Sequence, residues 1–487
     1  MVLWIILGVI TLIGGYLFTL SKRLTTPHPS VLAHKAVFMS DDDLAKVVVP
    51  TPQDMADAMR LHGPATGKAY IVIGGSGLVG QYIVRTLLAR GETLVRIIDV
   101  AEPKPSANSD VDNLSRAEFV KADVSDYQSI ADAISRPFGS TKRTAQVIIH
   151  TVAAIRNFER LSYVKHLSHR VNVQGTNNII KASQELGTVG ALVYTSSAAV
   201  CVRPAKYMWL GLFGTRPGAL VGDETPEDIP RLNNHYISTK LEGEQLVRAA
   251  DGVKGIRTSI LRPGMVIMGP ESMFAALVLK NPDVNPTWGS GFTNGILNAW
   301  DLGRAHVQLA DALFNRPDDV AGQSFAITGQ TTAHPFHEVR RMFQVSLEYP
   351  VGASVSKHDT QFYSRNGLRF RELPGEYPDS NLLLLAKWVE IELPLYLLSH
   401  VLEVFLLARY LVLNTASKFT GAQVSPVPQW AMKSRVLFLQ PAMWDLNLVD
   451  AIVDDTRARK VLGYRNYWST EQTIKWTIEG AEGRRVS

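Results

Sequence analysis

Cysteine is almost absent. The 487 residues hold one, Cys201, so no internal disulfide can form and an oxidised secreted scaffold is excluded. The same scarcity removes cysteine-rich zinc and iron–sulfur sites. No HExxH or Cys–His spacing is present, so a metal site is not expected. GxSxG is missing, which argues against a serine hydrolase. No dense basic block occurs: 50 Lys+Arg against 45 Asp+Glu leave +5 over a long chain. We therefore expect no nucleic-acid partner, while an anionic membrane surface fits somewhat better. No internal repeat or low-complexity tract is visible. Hydrophobic residues make up 46%, enough for a sizeable core.

One long apolar run is present. Val2–Leu20 carries no charge, and as a helix rising 1.5 Å per residue it reaches about 28 Å, close to the thickness of a hydrocarbon core. Trp4, Tyr16 and Phe18 lie toward its ends. A cleaved signal peptide would need a positive leading region and a shorter run. A retained single-pass anchor is the better expectation. Lys22 and Arg23 follow the run, and positive charge stays on the cytosolic side. The lone cysteine suits that reducing compartment.

Residues 24–66 read as a linker rich in proline, with a short helix around Pro52–Leu61. From 67 to 262, short β-branched runs alternate with helical stretches, which means βαβ units and a parallel sheet covered on both faces. The expected class is α/β, a Rossmann-type doubly wound sheet. The alternation decays in 263–345, a smaller substrate-binding region with a helix over Trp300–Phe314 and a strand over Ser324–Thr328. Residues 346–440 form an apolar insertion. Within it Leu382–Leu413 is interrupted by Lys387, Glu390, Glu392, Pro394, His400, Glu403 and Arg409. Charges that dense are expensive at a bilayer centre, so a helical hairpin or amphipathic pair in the membrane interface is favoured over a second span. The bland alternative is a cover on the protein's own core. Residues 441–487 close the chain.

Four groups of residues carry chemistry. The run Tyr70–Ile73 leads into Gly74-Gly75-Ser76-Gly77-Leu78-Val79-Gly80 and then a helix. Glycine at 74, 77 and 80 allows a tight turn, close approach to a pyrophosphate and tight helix–strand packing. Asp99 ends the second strand, placed to accept hydrogen bonds from an adenosine ribose and to repel a 2′-phosphate. Capping a strand end is its alternative role. Asp123 ends the third strand, where it either reaches an adenine amino group or caps the next helix. Tyr236 and Lys240, four apart, share a helix face. A tyrosine with an ordinary pKa near 10 needs help to accept a proton at neutral pH, and an ammonium nearby supplies it. Ser196 and Ser197 end the fifth strand, where a hydroxyl can orient the reacting oxygen.

In these motifs the chain resembles the extended short-chain dehydrogenase/reductases, in particular the 3β-hydroxysteroid dehydrogenase family, from about Lys68 to Val345. Further matches are His150-Thr151-Val152-Ala153-Ala154, Val171–Thr176, Leu261-Arg262-Pro263-Gly264 and Trp300-Asp301 with Ala305-His306. Ala458–Tyr464 resembles the C-terminal element of sterol 4-carboxylate dehydrogenases. The resemblance implies catalysis by Tyr236, Lys240 and Ser197. It implies that NAD is held by Gly74, Gly77, Gly80, Asp99 and Lys240, to which the strand-end reading adds Asp123. It implies a lipophilic sterol or triterpenoid alcohol as substrate, oxidised at C3 with loss of a C4 carboxylate, and an endoplasmic-reticulum membrane enzyme facing the cytosol. A homodimer is compatible with it. Two departures stand out. Ile73 replaces the family's usual threonine, and an apolar insertion including Tyr207–Phe213 separates Ser197 from Tyr236. The rivals are a 3β-hydroxysteroid dehydrogenase/isomerase without decarboxylation, a nucleotide-sugar epimerase or flavonoid-type reductase, and a non-catalytic NAD-binding membrane scaffold. A membrane anchor disfavours a water-soluble substrate, and a scaffold has no need of Tyr236 and Lys240.

Overall fold

The computed structural model describes residues 2–486 apart from 26, 52, 55–56, 59–62, 104–113, 205–219, 223–232, 274, 277–291, 349–392, 434–435 and 448. The apolar insertion around Tyr207–Phe213, most of the short helix expected over Pro52–Leu61, and the first part of Leu382–Leu413 lie outside those residues.

Seven parallel strands form the central sheet: β1 (Ala69–Ile73), β2 (Leu94–Asp99), β3 (Glu118–Lys121), β4 (Val147–His150), β5 (Ala191–Thr195), β6 (Arg257–Pro263) and β7 (Ser324–Ile327). Their spatial order is 3-2-1-4-5-6-7, with all neighbours parallel. This is the doubly wound order in which the chain reverses direction between β1 and β4. Alternate residues of β1 serve opposite faces. Tyr70 and Val72 join one buried cluster, while Ala69, Ile71 and Ile73 join the other, as a sheet covered on both sides requires.

The covering helices are α2 (Leu78–Arg90), α3 (Tyr127–Ser135), α4 (Gly175–Leu186), α5 (His235–Ala249) and α6 (Ala299–Asn315). Ahead of α4 the chain makes a π-helical turn, Arg170–Gln174. Beyond the sheet, α7 (Phe336–Glu348) and a C-terminal helix, α9 (Thr470–Val486), contribute to a separate apolar cluster holding Val339, Phe343, Ile474 and Ile478.

Asp301 fastens the C-terminal element to α6. Its fully buried carboxylate accepts from Tyr467 N at 3.0 and 3.2 Å and from Arg304 Nη2 at 2.9 Å. The Arg304 guanidinium also lies 3.7 Å from the Tyr467 ring centroid.

The segment after the first helix is tied down rather than loose. Ala36 N donates to Ala333 O at 2.9 Å. Lys475 Nζ donates to Ala45 O and Val47 O at 2.7 and 2.9 Å.

Two apolar helices lie outside this body. The first, α1 (Val2–Thr25), is exposed along most of its length, but its end is not: Leu20 is fully buried, with Tyr16 and Leu17 packed beside it. The second, α8 (Leu393–Thr420), is a single 28-residue helix. The preceding part of the expected hairpin or pair, 382–392, lies outside the described residues, and from Leu393 onward the segment is one continuous helix. Its sole early proline, Pro394, sits in the first turn, where a missing N–H costs nothing. Its faces are reversed relative to a water-soluble helix. Ser399, Glu403 and Leu406 turn inward, while Leu397, Val401, Val404, Phe405, Leu411 and Val412 are exposed.

Candidate active site

The carboxyl ends of the strands collect the chemistry, as in open parallel sheets generally. At β1 the chain turns through Gly74, whose φ of +86° favours glycine. A Cβ at Gly80 would lie 2.1 Å from Gly74 O, so this position must be bare for α2 to pack on the turn. Gly77 differs. A Cβ there would meet only Gly74 O, at an ordinary 3.4 Å. Packing does not demand that glycine, but close approach of a ligand would.

Gly77 also caps α2 without any side-chain hydrogen bond, and the first turn holds no acid. That leaves helix-end N–H groups and a positive dipole facing the turn. Asp99 borders the same turn. Its Oδ2 accepts from Ser76 N at 3.1 Å and its Oδ1 from Val100 N at 2.7 Å. These features fit a dinucleotide: phosphates on the α2 terminus, a ribose beside Asp99. Asp123 stands farther out at the end of β3. Its Oδ1 accepts from Ser125 N and Oγ at 2.9 and 2.8 Å, closing a turn, while the cap of α3 is Asp126.

The second half of the site is built on α5. Asn234 caps this helix, its Oδ1 accepting from Ile237 N at 3.2 Å and its amide donating to Asn157 O. His235 N donates to Glu159 O at 2.9 Å, and His235 Nε2 lies 2.7 Å from Leu161 O. The first turn of α5 is thus clamped to the loop after β4. From there Tyr236, Lys240 and Glu244 follow at four-residue spacing on one face.

Tyr236 is half-buried beside Ser197. Burial raises its pKa to about 12, opposed by the hydrogen bond with Ser197. Lys240 Nζ donates to Thr195 O at 2.7 Å and lies 4.8 Å from the Tyr194 ring centroid. Burial lowers its pKa to about 7, and Glu244 works the other way. Glu244 is itself buried in a bidentate pair with Arg262, at 2.9 and 2.7 Å. In the structure Lys240 is thus anchored on the β5 backbone, and the polar partner of Tyr236 is Ser197. Ser197 Oγ also accepts from Ala199 N at 3.2 Å, holding the turn after β5. Ser196 Oγ is buried with no partner among the described residues.

Several contributors carry no role on their own in the sequence. Asn172 sits in the π-helical turn. Its Oδ1 accepts from Ala154 N at 2.7 Å and its Nδ2 donates to Thr239 Oγ1 at 2.9 Å. It therefore joins the turn after β4 to α5, and π turns frequently mark functional sites. His306 lies behind Thr195. Its Nδ1 approaches Leu302 O at 2.8 Å and its Nε2 approaches Thr195 Oγ1 at 2.7 Å. Burial holds its pKa near 4, so it is neutral and fixes the residue whose carbonyl takes Lys240. Glu244 was findable from its spacing after Lys240. The roles of Asn172 and His306 depend on partners distant in sequence. No metal-binding group of histidine, cysteine and acids occurs among the described residues.

The profile of the 3-beta hydroxysteroid dehydrogenase/isomerase family matches residues 71–357. The chain belongs to that family. It is accordingly an oxidoreductase acting on CH–OH groups. It is 25% identical over 329 residues to the decarboxylating sterol-4-alpha-carboxylate 3-dehydrogenase of Candida albicans, covering 64% of this chain and 86% of that protein. It is 30% identical to 3beta-hydroxysteroid-dehydrogenase/decarboxylase isoform 1 of Arabidopsis thaliana, over 53% of this chain and 56% of the plant protein. It is 32% identical to a 3 beta-hydroxysteroid dehydrogenase/Delta 5→4-isomerase of Mycobacterium tuberculosis, over 42% of this chain and 50% of the other. The chain thus spans about half of the plant and mycobacterial proteins. Among solved structures, the UDP-Glc/GlcNAc 4-epimerase of Campylobacter jejuni superposes with a TM-score of 0.51 at 16% identity, covering 86% of this chain and all of that one. This likeness concerns the fold.

Proposed function

We propose that the protein is a membrane-anchored, NAD-dependent dehydrogenase that oxidises the 3β-alcohol of a sterol or triterpenoid bearing a C4 carboxylate, with loss of that carboxylate as CO₂. The observation that carries this reading is that Ser197, Tyr236 and Lys240 gather at the carboxyl end of the same sheet that carries an uncapped glycine turn bordered by Asp99. The dinucleotide lies along Gly74, Gly77, Gly80 and Asp99, with Asp123 beyond the ribose and Lys240 at the nicotinamide end. When bound, NAD supplies the hydride acceptor. Asp99 favours free ribose hydroxyls over a 2′-phosphate, which it would meet with like charge.

Ser197 orients the substrate oxygen and stabilises the tyrosine's ionised form. Tyr236 takes the alcohol proton. Lys240, held on Thr195 O, keeps positive charge available to the site. The resulting C3 ketone lies β to the carboxylate. The bond from C4 to the carboxyl carbon then breaks, its electron pair enters the enolate, and CO₂ departs. Protonated Tyr236 or water returns a proton to carbon. No second catalytic pair is needed, so the same residues serve both outcomes. The fungal relative, a decarboxylating sterol-4-alpha-carboxylate 3-dehydrogenase, and the plant relative, a 3beta-hydroxysteroid-dehydrogenase/decarboxylase, support this course.

Membrane association rests on the two apolar helices. Val2–Leu20 has the length and mean hydropathy, 2.2, of a span, with Lys22 and Arg23 on the cytosolic side. The α8 helix holds Ser399 and Glu403 inward and exposes Leu397, Val401, Val404, Phe405, Leu411 and Val412, and so lies along the bilayer surface with Glu403 held by the protein.

Tyr236→Phe tests the catalytic assignment. Turnover should fall at least about 10²-fold while NAD still binds. Near-normal turnover would remove Tyr236 from the mechanism.

A further inference from the structure

Tyr236 lies at the rim of an apolar cluster whose buried members include Leu20, Ala198–Val202, Ile237, Leu241 and Val449. The other half-buried members of that rim are Tyr16 and Leu17 of α1, Tyr396 of α8, Met265 and Leu446. The two helices that expose the largest apolar surfaces therefore meet the body at one place, and the candidate proton acceptor is there.

We infer that the seam between the end of α1 and the start of α8 is the entry for substrate, which passes sideways from the bilayer to Tyr236, hydroxyl first, without crossing water. This rests on the membrane and dehydrogenase readings above and adds a route to them.

Three observations carry it. Tyr16–Leu20 form the cytosolic end of the apolar run and precede Lys22 and Arg23, so the seam lies at headgroup depth. A rigid apolar ring system with one terminal alcohol places that alcohol at the same depth, as any amphipathic body does at an interface. On α8, Tyr396 faces the body while Leu397, Leu398 and Val401 face outward, so one turn of helix joins the lipid-facing surface to the rim. The helix is fixed in that attitude by a bidentate pair, Arg160 to Glu403 at 2.9 and 2.8 Å, and by Tyr163 stacked on Tyr410 at 4.7 Å between centroids. Arg160 belongs to the same loop that clamps the first turn of α5. Lipid-facing helix and Tyr236 therefore share one support.

The test uses the full chain in phosphatidylcholine vesicles. In the first arm, a 3β-hydroxysterol with a photoreactive diazirine tail is irradiated in the bilayer and labelled peptides are mapped. Labelling should concentrate in residues 16–20 and 396–406 and be competed by unlabelled sterol. Label confined to other segments would overturn the route. In the second arm, Leu17→Trp and Leu446→Trp narrow the seam while keeping it apolar. Each should lower kcat/KM for vesicle-borne sterol about 10-fold, and change kcat/KM for a small water-soluble bicyclic alcohol less than about 2-fold. Equal losses on both substrates, or none on either, would contradict the inference. If wild type labels at the seam yet oxidises no 3β-hydroxy lipid, the entry stands and the proposed activity fails. Thermal melting of each variant checks folding, and the labelling arm needs no variant.

Discussion

Lys240 shows most clearly what the site demands of a single residue. It is buried, and burial drives its pKa from 10.5 to about 7. Between those values the unfolded chain holds a proton that the folded protein does not, so this group makes stability rise with pH from about 7 to 10.5 and contributes no slope below. Lys240→Met removes the proton. Unfolding midpoints in detergent should lose a slope of up to about 1.4 kcal/mol per pH unit in that window relative to wild type, while turnover is abolished. An unchanged pH profile would mean that Lys240 is solvated in the native protein. The four-residue spacing from Tyr236 was readable because a helix forces it. The lysine's real partner, Thr195 O, was not readable, because a backbone carbonyl leaves no mark in a sequence. His306, which secures Thr195 from behind, was visible only as part of a family-like stretch.

At the scale of elements, the strands were legible from their β-branched runs, and a helix, α2, follows the glycine turn as the motif implied. Two features were not legible. The π turn at Arg170–Gln174 arises where Asn172 must reach both Ala154 and Thr239, a constraint set by packing. The reversed faces of α8 follow from Arg160, far away in sequence, drawing Glu403 inward.

Each feature implies a measurement. Asp301→Asn leaves Arg304 without its buried partner and weakens the hold on Tyr467. It should cost about 3–5 kcal/mol in urea unfolding, and a loss below about 1 kcal/mol would show that other contacts hold the C-terminal element. Deleting residues 2–15 removes most of α1 but keeps Tyr16, Leu17 and Leu20 in their cluster. That protein should still pellet with vesicles through α8. Adding Val401→Glu and Phe405→Glu should release it, since charge there faces hydrocarbon. A truncated protein that is already soluble without detergent would place the α8 surface against water.

Across the whole molecule, a seven-stranded parallel sheet, a tyrosine–lysine helix and two helices with exposed apolar faces meet around one apolar rim. On the proposed reading, the sheet would supply the cofactor cradle, α5 the proton acceptor, and the outer helices the means of meeting a substrate that dissolves in membranes. The parallel sheet and the family were legible because they depend on local patterns. The convergence of α1 and α8 on Tyr236 was not, since it brings residues as far apart in sequence as 16 and 396 to one cluster. The decarboxylating course is the claim on which the account depends most. It is tested by giving the vesicle-bound enzyme a 3β-hydroxy-4-carboxysterol labelled in the carboxyl carbon and following NADH and labelled CO₂ together, with Tyr236→Phe as control. The account predicts equal amounts of both products from wild type and neither from the variant. NADH from plain 3β-hydroxysteroids, with no turnover of the carboxylated sterol, would contradict it.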